Sequence, residues 1–170
     1  NVTIALLSAT SILMIAIANV ANLQLKFGDI LPYTNLTDKI YAWVGGFGLF
    51  AFLLTWIREI VKDLQDQMGD REYECHSMPI VWGNTATKIV VTALIILTTV
   101  LIGWFWYSIL PFGHSWQSFS TRYIVLAIII PLLGALWLLW AAKIPSDYRT
   151  CQLVLKLTMF LGMLYSFVLR

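Results

Sequence analysis

The chain is 170 residues long, 59% hydrophobic and only 12% charged, with a net charge of +2 and a mean hydropathy of +0.79. That balance leaves too few polar side chains to wet the surface of a soluble domain, so the bilayer is the solvent. So small a net charge gives no field for nucleic acid or another strongly anionic partner.

A helix that spans a bilayer needs about 20 mostly apolar residues to cross roughly 30 Å of hydrocarbon. Five windows meet that requirement, 3–22, 39–61, 87–109, 121–142 and 151–169, and predict an all-α integral membrane protein with five transmembrane helices. The first window has small residues (Ala5, Ser8, Ala9, Ser11, Ala16, Ala18) at spacings that let a neighbouring helix approach closely. The sequence starts at Asn1, without methionine, and enters this helix at once, as expected of a piece cut from a longer protein. Phe27-Gly28-Asp29-Ile30-Leu31-Pro32 then predicts a turn. In the second window Gly45-Gly46-Phe47-Gly48 suits tight packing in lipid. It does not read as a phosphate-binding loop, which would follow a strand.

The third window ends in Trp104-Phe105-Trp106-Tyr107. The favoured reading is a belt at headgroup depth, and the other is a lining for a hydrophobic substrate. His114, after Pro111 and Gly113, reads as a solvated loop residue. Pro131-Leu132-Leu133-Gly134 interrupts the fourth window, where a proline removes a backbone hydrogen bond and is expected to kink the helix.

Alternation places the loop between helices two and three on one side with the loop between four and five. That side has Arg58, Lys62, Arg71, Lys88, Lys143, Arg149 and Lys156. The other has Lys26, Lys39, Arg122 and Arg170. The excess of positive charge predicts that the first side is cytoplasmic, in an inner or plasma membrane. Cys75 and Cys151 both fall on it, without Cys-x-x-Cys spacing, and read as spare or buried thiols. Asn1-Val2-Thr3 and Asn35-Leu36-Thr37 match a glycosylation sequon, a pattern frequent by chance.

The sequence has nine acidic residues, and six stand within the sixteen positions from Glu59 to Glu74: Glu59, Asp63, Asp66, Asp70, Glu72 and Glu74. At about 100° per helical residue, Glu59, Asp63, Asp66 and Asp70 occupy a sector roughly 60° wide. Carboxylates so stacked repel one another, more so beside a low-dielectric bilayer, and call for a cation. Oxygen ligands of this kind suit Mg²⁺ or Ca²⁺, and Mg²⁺ is commonly held by one or two carboxylates together with substrate phosphates. Arg58, Lys62 and Arg71 are interleaved and supply donors for phosphate oxygens. The bland reading is a solvated charged helix end. Against it, the acids share one face and continue the second helix without a linker, and Gly69 and Pro79 fit a helix that stops at the membrane surface and turns back.

The run Arg58-Glu59-Ile60-Val61-Lys62-Asp63-Leu64-Gln65-Asp66-Gln67-Met68-Gly69-Asp70-Arg71, followed by Ser77-Met78-Pro79-Ile80 and Trp82-Gly83, resembles the second aspartate-rich motif of the UbiA superfamily of intramembrane prenyltransferases. It is especially similar to the branch containing the archaeal-type geranylgeranylglyceryl phosphate prenyltransferases. Asp147-Tyr148-Arg149, ahead of a last helix with Lys156-Leu157-Thr158-Met159, agrees. The resemblance covers essentially the whole chain, read as one membrane domain over 1–170 with the motif and its loop at 58–83.

The resemblance implies a nine-helix α-barrel in which two aspartate-rich motifs face each other and clamp a polyprenyl diphosphate through Mg²⁺. The isoprenoid tail would lie in a channel open to lipid. Asp63, Asp66 and Asp70 would be the metal-binding, catalytic aspartates, with Lys62, Arg58 and Arg71 against the diphosphate. The acceptor would be a lipid precursor or an aromatic ring. The first motif, N-D-x-x-D-x-x-x-D, does not occur in these 170 residues. The five helices would then be the fifth to ninth of the fold, a C-terminal half inactive without its N-terminal partner. Two alternatives compete. A non-catalytic membrane subunit would use the acidic end to bind a partner or a cation. A cation transporter would need acids near the bilayer midplane, and the sequence places none there.

Overall fold

The computed structural model describes residues 1–27, 36–109 and 119–168, and among these there are helices and no strands. The elements are α1 (Val2–Phe27), α2 (Leu36–Glu72), α3 (Met78–Val81), α4 (Asn84–Ile109), α5 (Phe119–Tyr123), a π-helical turn (Ile124–Ile129), α6 (Ile130–Ala141) and α7 (Pro145–Val168). Among the described residues four helices are long and apolar enough to cross a membrane: Val2–Lys26, Ile40–Glu72, Asn84–Ser108 and Phe119–Ala141. The protein is therefore an all-α integral membrane protein, as the sequence predicts. The fifth predicted span falls in α7, whose 24 residues give sufficient length, about 36 Å. Residues 169–170 lie outside the described residues. The turn at 28–32, the sequon asparagine Asn35, and Pro111, Gly113 and His114 also lie outside them.

The helices group into two compact units, Asn1–Thr55 and Trp56–Arg170, with the boundary inside α2. In the first unit the small-residue face of α1 does what its spacing predicts. Ala5, Ala9, Ala16 and Val20 are buried, while Ser8 Oγ donates to Ala5 O at 2.7 Å and to Thr55 Oγ1 at 3.3 Å. Ser11 and Ala18 are exposed instead, because they fall on the far side of the helix. A methyl group at Gly48 would lie 3.7 Å from the Leu13 side chain, an ordinary contact, and one at Gly45 would meet nothing.

In the second unit α6 and α7 form an antiparallel pair around Leu132, Ala135, Leu139, Cys151 and Leu155, all buried. The Cys151 thiol donates to Ala135 O at 3.4 Å. Bundle packing in lipid gains little from the hydrophobic effect, since lipid tails are as apolar as leucine. Dispersion and these interhelical hydrogen bonds hold the pair. Tyr165 OH and Ser120 Oγ lie 2.6 Å apart, and Tyr123 OH donates to Leu161 O at 2.8 Å, tying α5 to the end of α7.

Pro131 changes the helix just before it. Lacking an N–H, it cannot continue the i→i−4 ladder, and the preceding turn widens to π geometry, with Ile130 N–H donating to Val125 O. The segment Phe119–Ala141 thereby remains helical throughout.

Candidate functional site at the end of α2

At 37 residues, α2 is about 55 Å long, nearly twice what the hydrocarbon core requires. Its carboxyl-terminal turns contain the acidic cluster. Ile57, Ile60, Val61 and Leu64 are buried and point about 60° to 160° around the axis from Asp63. The acids point the other way. Leu64 is the last buried residue of the helix, so everything from Gln65 to Glu72 extends beyond the apolar packing.

The helix does not stop at Gly69. It runs to Glu72 and closes with a C-terminal cap in which Cys75 N–H donates to Asp70 O at 2.8 Å and Glu74 N–H to Arg71 O at 3.4 Å. These are the two bonds of a Schellman motif, with Glu74 in the left-handed position at φ 52. Glycine usually occupies that position because a side chain is strained there. The glycine that serves this purpose nearby is Gly83, at φ 82, which follows α3 and turns the chain into α4.

Along this helix end Asp63 and Asp70 are half-buried, and Asp66, Lys62 and Arg71 are exposed. Arg58 is half-buried and its guanidinium is engaged by the buried carboxylate of Glu59. Of the three cations expected near a diphosphate, Arg58 is thus already committed to a neighbour. Asp66, Asp70 and Glu72 also stand at the negative end of the helix dipole, where anions are disfavoured. Nothing about helix stability recommends acids there.

Among the described residues no group of three His, Cys, Asp or Glu side chains is disposed to hold a metal ion on its own. The helix explains why. Asp63 and Asp70 are about 10 Å apart along the axis, whereas oxygen ligands sit about 2.1 Å from Mg²⁺. A single ion reaches one aspartate or one adjacent pair, and the remaining ligands must be water or substrate oxygens. This donor set fits Mg²⁺ carried in with a diphosphate better than a closed protein cage.

Several residues that the sequence does not single out surround this helix end. Gln152, on α7 and 8% exposed, donates from Nε2 to Gln65 Oε1 at 2.9 Å. Gln67 Nε2 donates to Pro79 O at 3.4 Å. Lys88, near the start of α4, donates from Nζ to Ala142 O at 2.8 Å and lies 5.4 Å from the centre of the buried Tyr148 ring. That carbonyl is at the carboxyl end of α6, where a cation is favoured. Asp147 Oδ2 accepts from the N–H groups of Lys143 at 2.9 Å and Ile144 at 3.2 Å. These two bonds hold its carboxyl below the usual carboxylate range. A side chain at the third helical position reaching back to the N-cap N–H, together with Pro145 as the first residue, defines the start of α7. The pairings of Lys88 with Ala142 and of Gln65 with Gln152 have no local sequence signature, since the partners are 54 and 87 residues apart.

No protein-family profile matches the chain, and no solved structure matches it. Curated relatives do. The chain is 28% identical over 123 residues to a protein of Methanosphaera stadtmanae, covering 71% of this chain and 41% of that one. It is 32% identical over 143 residues to one of Korarchaeum cryptofilum, covering 82% and 46%. It is also 32% identical over 116 residues to one of Methanopyrus kandleri, covering 68% and 40%. By these similarities the chain is a homologue of the intramembrane prenyltransferases of the UbiA superfamily. Each of the three relatives is named digeranylgeranylglyceryl phosphate synthase, and the chain spans less than half the length of each.

Proposed function

We propose that this chain contributes the diphosphate-binding end of a Mg²⁺-dependent membrane prenyltransferase that moves a prenyl group from a polyprenyl diphosphate to an acceptor in the membrane. The observation that supports it most is the run of aspartates on one face of α2, with Asp63 just before its last buried residue, Leu64, and Asp66 and Asp70 beyond it, in a chain whose relatives bear a prenyltransferase name. That name favours a lipid-precursor acceptor, a glyceryl phosphate already bearing one prenyl chain, over an aromatic ring. The excess of positive charge on the side of the acidic end supports a reaction at the cytoplasmic surface.

In this reading Asp63, Asp66 and Asp70 are the catalytic aspartates, one or an adjacent pair of them to each metal ion, and Lys62 and Arg71 donate to the diphosphate. Mg²⁺, when bound, neutralises the negative charge that gathers on the diphosphate as the allylic C–O bond breaks. Glu59 holds Arg58 beside the site by ion pairing, which keeps one guanidinium poised at the membrane surface. The prenyl carbon gains its new bond from the acceptor oxygen, whose proton leaves to solvent, and inorganic diphosphate departs. The half-buried setting of Asp63 and Asp70 strengthens these charge interactions relative to water.

The test uses the protein expressed from its complete reading frame, with labelled geranylgeranyl diphosphate and the monoprenylated glyceryl phosphate. Asp63→Asn and Asp70→Asn should each lower Mg²⁺-dependent transfer by about 100-fold or more, the scale seen when a group stabilising transition-state charge is removed. Unchanged transfer in both variants would overturn the assignment.

A further inference from the structure

We infer that Gln152 is a positioning residue: through its hydrogen bond to Gln65 it fixes the rotation of the last turns of α2, and with it the directions in which Asp66 and Asp70 present their carboxylates. The inference rests on the diphosphate-binding role proposed above for those aspartates.

Packing alone does not orient this helix end. Leu64 is the last buried residue of α2, and the eight positions from Gln65 to Glu72 are half-buried or exposed. Met68, the apolar residue of that stretch, is 75% exposed. Past Leu64 the side chains that tie the helix to neighbouring elements are two amides, Gln65 to Gln152 at 2.9 Å and Gln67 to Pro79 O at 3.4 Å. The first is the shorter and its far partner the better anchored. Gln152 adjoins buried Cys151 and lies one helical turn after buried Tyr148, over which the Lys88 ammonium sits. A primary amide 8% exposed is costly to keep unless it is hydrogen-bonded, so the pair is held in its register.

Gln65 stands between Asp63 and Asp66 in sequence but about 130° from the centre of the acidic face around the axis. A tether at the back of the helix fixes the azimuth of the front. With it lost, the exposed turns are free to rotate and fray, and the aspartates no longer meet metal and diphosphate in one arrangement. Gln152 touches no substrate in this account. It acts through α2.

The experiment follows thermal unfolding of the complete protein in detergent while Mg²⁺ is titrated at fixed inorganic pyrophosphate, comparing wild type, Gln65→Leu, Gln152→Leu, the double variant and Asp66→Asn/Asp70→Asn. Loss of the tether should raise the Mg²⁺ concentration for half of the ligand-induced shift by about fivefold in either leucine variant, the scale of one hydrogen bond. The double variant should show no further rise, since the two residues act as one unit. In the transfer assay the apparent KM for Mg²⁺ should rise while kcat at saturating Mg²⁺ changes little. A role confined to stability would lower the melting temperature without ligand and leave the Mg²⁺ midpoint unmoved, and that result overturns the inference. So do single effects that simply multiply in the double variant. If Gln152→Leu does not fold, the half-exposed Gln65→Leu has the same expectation. If the aspartate variant matches wild type, the diphosphate site itself fails and this inference falls with it. If the aspartate variant weakens binding and the leucine variants do not, only the inference fails.

Discussion

Replacing Lys88 with methionine keeps the length of the side chain and removes its charge, which isolates one long-range contact of the second unit. The ammonium donates to Ala142 O at 2.8 Å and lies 5.4 Å from the centre of the Tyr148 ring. A hydrogen bond to a charged group contributes about 1.5–3 kcal/mol, and a cation over an aromatic ring adds about 0.5–1 kcal/mol at an accessible site. Lys88 is half-buried, so we take the lower part of both ranges, about 2 kcal/mol together. For a chain of this size each kcal/mol moves the melting temperature by about 2–4 °C, and Lys88→Met should melt about 4–8 °C below wild type in detergent. Lys88→Arg retains a donor and a cation and should recover most of the loss. A half-buried contact is screened little by salt, so the difference should persist in 0.5 M NaCl. A Lys88→Met protein melting within 1 °C of wild type would refute the reasoning.

Glu74→Gly should stabilise the protein by about 0.5–1 kcal/mol, because the left-handed residue at the end of α2 then lacks a strained Cβ; chemical unfolding or thermal melting checks it. Leu139→Ala, inside the α6–α7 pair, should cost about 2 kcal/mol, less than many cores in water, because in lipid the cavity term remains and the transfer term largely vanishes. For Asp147 the folded pKa lies below the ordinary value, so its contribution is present above that value, about pH 4, and is lost as pH falls through the folded pKa. The fall in melting temperature on acidification below pH 4 should therefore be shallower in Asp147→Asn than in wild type, and equal slopes would count against the two backbone hydrogen bonds.

The hydropathy of 170 residues was enough to establish helices in a bilayer, because no other way of satisfying a backbone in lipid suits apolar runs of 20 residues. Periodicity was enough to place Glu59, Asp63, Asp66 and Asp70 on one face, since all four belong to one continuous helix and local geometry alone decides it. Stop signals were less dependable. Gly69 reads as the end of α2, yet the helix passes through it and closes at Glu74, where the cap bonds outweigh the strain of a left-handed glutamate. Pro131 reads as an interruption, and what precedes it is a π turn that sequence alone does not show. What only the tertiary structure decided is which side chains hold the acidic end in place. Gln65 with Gln152, and Lys88 with Ala142 and Tyr148, are partners 54 to 87 residues apart. Glutamine and lysine in a sequence mark nothing by themselves. Their role follows from burial and from the exit of α2 beyond Leu64, and both are properties of the packed helices.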